Sequence, residues 1–99
     1  MNVSEKIGMA ALYEQLAEEC TELGKAALKM ARKLRGDNPT PMTKEEIIKN
    51  LNEEIADVMI CIDVILEEGQ AMSHESVESV MIDKKARWEQ RIEDYHKEN

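Results

Sequence analysis

Six carboxylates in this chain fall into two matching strings. One is Leu16-Ala17-Glu18-Glu19-Cys20-Thr21-Glu22-Leu23, the other Leu51-Asn52-Glu53-Glu54-Ile55-Ala56-Asp57-Val58. Both read Leu, any, Glu, Glu, any, any, acid, aliphatic. At helical spacing, acids three residues apart are neighbours on one face. Glu19 falls inside an apolar arc, between Leu12, Leu23 and Ala26; Glu54 falls inside another, between Ile47, Leu51 and Val58. Glu22 and Asp57 lie one step round on the same side. Antiparallel packing through the two apolar arcs would bring Glu19, Glu22, Glu54 and Asp57 to one half-buried spot. Burying ionised carboxylates unpaired costs on the order of several kcal/mol. A hard divalent cation resolves that conflict. Mg²⁺ takes oxygen ligands and keeps positions open for water and phosphate. Two other acidic doublets have plainer roles: Glu45-Glu46 belongs to a helix's first turn, and Glu67-Glu68 lacks a matched acid three residues on.

A basic series stands apart from these strings. Lys84, Arg87 and Arg91 recur at i, i+3, i+7 along the edge of an apolar stripe of Val77, Met81, Trp88, Ile92 and Tyr95. Two roles fit them: contacts to phosphates held by the metal, or ion pairs with the many acids. Lys25, Lys29 and Lys33 drift across an outer face and read as solvated. Trp88, Tyr13 and Tyr95 have the ring faces to stack on a base, and equally suit core or interface packing.

Positioning these groups requires helices. The expected fold is all-α, a bundle of three main helices in a single domain over residues 1–99, completed by a second copy of the chain. Helix one is expected from about Ser4, as N-cap, to about Leu34, with its start weakened by Gly8. Its core stripe is expected at Leu12, Leu16, Cys20, Leu23, Ala27, Met30 and Leu34. Turn chemistry follows over residues 36–41. Thr43 and Glu46 form a capping box for helix two, which runs to Glu68, with Gly69 as its C′ residue. Its stripe is expected at Ile47, Leu51, Ile55, Val58, Ile62 and Ile65. Ile60, Cys61 and Val64 make that helix apolar almost all round. Such a helix is covered on several sides. Ser73 is placed to cap helix three, which runs towards Lys97.

Composition sets outer bounds. With 99 residues, 42% hydrophobic and only 3% aromatic, the chain suits a small helical domain, not a β-sandwich. A core this small is marginal, which favours self-association. A formal charge of -8 sets the chain against a polyanionic partner such as DNA. The opening Met1-Asn2-Val3-Ser4-Glu5-Lys6 carries no signal-peptide character, and no apolar run reaches membrane-spanning length. Cys20 and Cys61 read as small buried hydrophobes in a reducing cytosol, so the expected location is cytoplasmic.

These features resemble the MazG-like, all-α nucleoside triphosphate pyrophosphohydrolases over about Glu14 to Ile92. Their signature of EExxE followed by ExxD is matched here by Glu18-Glu19-Cys20-Thr21-Glu22 and by Glu54-Ile55-Ala56-Asp57. The run Lys84-Lys85-Ala86-Arg87-Trp88-Glu89-Gln90-Arg91 is similar to the family's C-terminal basic segment. Trp88 stands where many members have Asn, a departure that points to an altered nucleotide pocket. The resemblance implies Glu19, Glu22, Glu54 and Asp57 as Mg²⁺ ligands, with Mn²⁺ as a substitute. It implies Glu18 as a fifth carboxylate that helps a second metal or orients water, so that Glu18 and Glu19 are the catalytic pair. Lys84, Arg87 and Arg91 would take the phosphates and Trp88 the base. The implied reaction is metal-activated water attack at the α-phosphorus of a (d)NTP, releasing a nucleoside monophosphate and pyrophosphate. A homodimer or homotetramer is implied as well.

Two rivals belong to other classes. A non-catalytic oligomeric adaptor would share the bundle without the chemistry. A carboxylate-bridged di-iron bundle needs ExxH on two helices, and this chain offers one, Glu93-Asp94-Tyr95-His96. With two histidines, a zinc site of ordinary composition is excluded.

Overall fold

The computed structural model describes residues 2–36 and 40–98. Among them every regular element is a helix: α1 (Val3–Ile7), α2 (Met9–Arg35), α3 (Lys44–Glu68) and α4 (His74–Glu98). No helix among the described residues is long and apolar enough to cross a membrane. The chain divides into two compact units, Met1–Gly69 and Gln70–Asn99.

Gly8 cuts the expected first helix in two. Its backbone sits at φ 88°, a region L-residues rarely adopt, and its N–H still closes α1 by donating to Ser4 O at 2.8 Å. The cap of α1 is Asn2, whose Oδ1 accepts the Ser4 N–H, so Ser4 lies inside the helix and not at its cap. The same Ser4 N–H also reaches Glu68 Oε1 at 2.7 Å. One member of the Glu67-Glu68 doublet therefore ties α1 to the end of α3. At the far end of α2, Gly36 takes a left-handed conformation and donates to Arg32 O. The expected turn over 36–41 falls partly on residues 37–39, which lie outside the described residues.

α3 runs between the expected ends. Thr43 Oγ1 accepts the Glu46 N–H at 3.1 Å, and Glu46 Oε1 accepts the Thr43 N–H at 3.0 Å, a complete capping box. Gly69 ends the helix with extended backbone, φ -83°, not a left-handed one. Its smallness is steric: an added Cβ would meet Ile65 O at 2.6 Å and Met9 Cε at 3.1 Å.

α2 and α3 pack on each other, and the packing is antiparallel. A 27-residue helix is about 40 Å long, and the short connection through residue 40 cannot run back that distance. Met9 beside Gly69 confirms the sense. Buried and half-buried positions at heptad spacing form the seam between them: on α2 Leu12, Leu16, Glu19, Leu23, Ala26 and Met30; on α3, Ile47, Leu51, Glu54, Val58, Cys61 and Ile65. This corrects the expected stripes. Cys20, Ala27 and Leu34 are exposed, as are Ile55 and Ile62 at 40% and 37%. The 3.5-residue spacing keeps one seam facing the partner helix, and that seam runs through Glu19 and Ala26, not through Cys20 and Ala27.

α4 is a separate unit. Ser73 and Ser76 cap it reciprocally: Ser76 N–H donates to Ser73 Oγ at 3.1 Å, and Ser73 N–H to Ser76 Oγ at 3.2 Å. None of its residues is buried. Trp88 and Tyr95 are exposed on α4, as is Tyr13 on α2.

Candidate metal centre

Glu19 and Glu54 occupy seam positions that a hydrophobe ordinarily fills. Each is half-buried in consequence. Asp57 stands one turn on from Glu54 and is exposed. One oxygen from each of Glu19, Glu54 and Asp57 lies within 4.8 Å of the other two. Three carboxylates from two helices thus meet at one point of the α2–α3 seam.

Glu22 stands outside that trio. Its carboxylate pairs with Lys25 Nζ at 3.5 Å, although it stays near enough to act on Glu54. Glu18 is exposed on α2. Helix geometry explains the sidedness. Glu22 and Asp57 each follow a seam acid by three residues, a rotation of about -60° at 100° per residue. On antiparallel helices that rotation carries both to the same side of the hairpin. Glu19 is further held by Gln15, whose Nε2 donates to Glu19 Oε1 at 2.7 Å.

The electrostatics are those of crowded acids. Partial burial, then Asp57, Glu19, Glu22 and Glu53, hold the Glu54 carboxyl above its ordinary value. Neither the Lys25–Glu22 nor the Lys85–Glu89 ion pair, both on exposed helix surface, brings a cation to the trio. A set of hard oxygen donors suits a hard divalent cation, and at Glu54 metal and proton would compete for the same oxygens. Glu19, Glu54 and Asp57 could hold such an ion, leaving most of its coordination sphere to water or phosphate.

Cys61 was read from sequence as a small hydrophobe and is one. It fills a seam position, and burial followed by Glu19 and Asp57 pushes its thiol up. What the sequence reading missed is its place beside the trio; the one clue was its spacing, seven residues on from Glu54 in the same heptad. Cys20 is free and exposed, contrary to the expectation of burial.

On α4, Lys84, Arg87, Arg91 and Trp88 line one open surface concavity of about 720 Å³ together with Met81, Ile82 and Lys85. Among the described residues no ion pair is formed by Lys84, Arg87 or Arg91. His96, in the last turn of α4, packs edge-on against the Tyr95 ring.

No family model, curated protein or solved structure matches the chain.

Proposed function

We propose that this protein is a Mg²⁺-dependent nucleoside triphosphate pyrophosphohydrolase of the MazG type, converting a (d)NTP to its monophosphate and pyrophosphate. The observation that carries the reading is the meeting of Glu19, Glu54 and Asp57 within 4.8 Å in the α2–α3 seam. Crowded acids in such a seam cost stability that apolar residues there would not. Their presence fits a demand for a cation.

Mg²⁺, or Mn²⁺ in its place, would neutralise phosphate oxygens and acidify coordinated water. Glu19, Glu54 and Asp57 would hold it, with Glu22 as a fourth ligand after leaving Lys25. Glu18, exposed and close by in sequence, has a free carboxylate to take the water's proton. Lys84, Arg87 and Arg91 are the cations assigned to the substrate's phosphates, and Trp88 is the ring assigned to its base. The all-round apolar character of α3 supports a homo-oligomer.

A panel of NTPs and dNTPs with Mg²⁺, scored for pyrophosphate and for orthophosphate, tests the proposal. Pyrophosphate should appear from at least one dNTP and should be lost in Glu54→Gln with helical content unchanged. Wild-type protein that releases neither product from any of the panel leaves the adaptor reading in its place, and a fully active Glu54→Gln refutes the assigned site.

A further inference from the structure

The concavity on α4 is one-sided in its hydrogen-bond chemistry. Its polar lining is Lys84, Lys85, Arg87, Arg91 and Trp88; Met81 and Ile82 are its apolar part. Ammonium, guanidinium and indole N–H groups donate hydrogen bonds and have nothing with which to accept one. None of the lining side chains carries an oxygen. The backbone carbonyls beneath them are engaged within the helix. A ligand in this concavity therefore meets donors only.

The lining also divides into two flanks. At 100° per residue, Lys84, Arg91 and Arg87 lie about 40°, 60° and 100° to one side of Trp88. Lys85 lies about 60° to the other side, the side of Met81 and Ile82. The first flank holds the three cations assigned above to phosphates. Lys85 has no such role. Its ion pair with Glu89, at 3.7 Å with side chains 75% and 64% exposed, is a weak surface contact that a ligand can replace. Trp88 is 60% exposed and offers its ring to a base. A purine covers more of an indole face than a pyrimidine does. A nucleotide laid across Trp88, phosphates on the three-cation flank, brings the far edge of its base to Lys85.

The sense of the hydrogen bond then selects the base. Adenine and cytosine carry an exocyclic amine at that edge, which sets a donor against a donor. Guanine carries O6 there, as do hypoxanthine and xanthine, and an oxygen accepts from Lys85. We propose that this concavity selects a 6-oxopurine nucleotide, with its ring on Trp88 and its O6 accepting a hydrogen bond from Lys85 Nζ. The inference rests on the reading of α4 as the substrate's binding surface and deepens it, because it makes Lys85 the residue that tells an oxo base from an amino base.

Trp88 is the only tryptophan in the chain, so its emission reports this surface alone. The test titrates the full chain with ITP, ATP, UTP and CTP in chelator, where binding is read without metal-dependent hydrolysis. ITP and ATP differ by an oxygen or an amine at C6, and UTP and CTP by the same exchange at C4. ITP should bind at least about fivefold tighter than ATP, as one hydrogen bond to a charged donor gives. UTP should bind tighter than CTP and weaker than ITP. In Lys85→Met the emission should still respond, with ITP and ATP within about twofold of each other. ATP bound as tightly as ITP by wild type, a preference for ITP that survives Lys85→Met, or emission that none of the four nucleotides changes overturns the inference. Pyrophosphate release and its loss in Glu54→Gln are measured with metal present, so a failure of the acidic centre and a failure of this base selection are told apart.

Discussion

Replacing Glu19 by leucine should make the protein more stable and end its response to divalent metal. Glu19 sits at a seam position of α2, half-buried, in line with Leu12, Leu16, Leu23 and Ala26. Full burial of a leucine side chain is worth about 1.5–3 kcal/mol, so half burial contributes roughly 1 kcal/mol. Removing one of three carboxylates that lie within 4.8 Å of one another adds to that gain. For a domain of this size, 1 kcal/mol raises the unfolding midpoint by about 4–8 °C. The wild type should instead draw its stability from metal. At a free concentration of one hundred times its Kd, a bound ion contributes about 2.7 kcal/mol. Thermal unfolding with and without Mg²⁺, on both proteins, measures all four values. The expected pattern is a crossing: Glu19→Leu is the more stable protein in chelator, and wild type is the more stable in excess Mg²⁺. If Glu19→Leu melts below wild type in chelator, or still gains several degrees from Mg²⁺, the account of the seam acids is wrong.

Two further outcomes separate by pH. Glu54 keeps its proton above the ordinary carboxyl value of 4.5, so the folded protein binds a proton there that the unfolded chain has lost; in chelator, stability should fall as pH rises from 4.5 through Glu54's folded value, and Glu54→Gln should flatten that slope in denaturant titrations. Glu46 is held below 4.5 by its bonds to the Thr43 backbone and hydroxyl, so its contribution is intact above 4.5 and disappears as pH falls through its folded value; Thr43→Ala should cost about 1 kcal/mol at neutral pH and move the Glu46 titration, followed by NMR, back towards 4.5.

Much of the protein was legible in its residue order because the features concerned are local. The capping box of Thr43 and Glu46, the cap at Ser73 and the arrest of α2 at Gly36 each involve residues within four positions of one another. α3 has its expected ends for that reason. The matched acids were legible too, since spacing within a helix fixes which side chains share a face. Gly8 was visible as a weak point, but not its positive φ, which splits the first helix, nor the bond from Ser4 to Glu68 across the fold.

The choice of seam belongs to the tertiary structure. On α2 and α3 two heptad series lie side by side, one residue apart, and a helix arc of 100° or more accommodates either. Ile55 and Ile62 are more apolar than Glu54 and Cys61, yet it is the latter pair that faces α2. Only the partner helix, through the register that brings Met9 to Gly69 and Glu19 to Glu54, selects between the two. Glu22 pairs with Lys25 three residues on in its own helix, while Asp57 joins the trio. Residue order therefore settles which side chains can share a face, because that follows from helical geometry alone. Which face is buried, and which acids meet, is a property of two helices in contact.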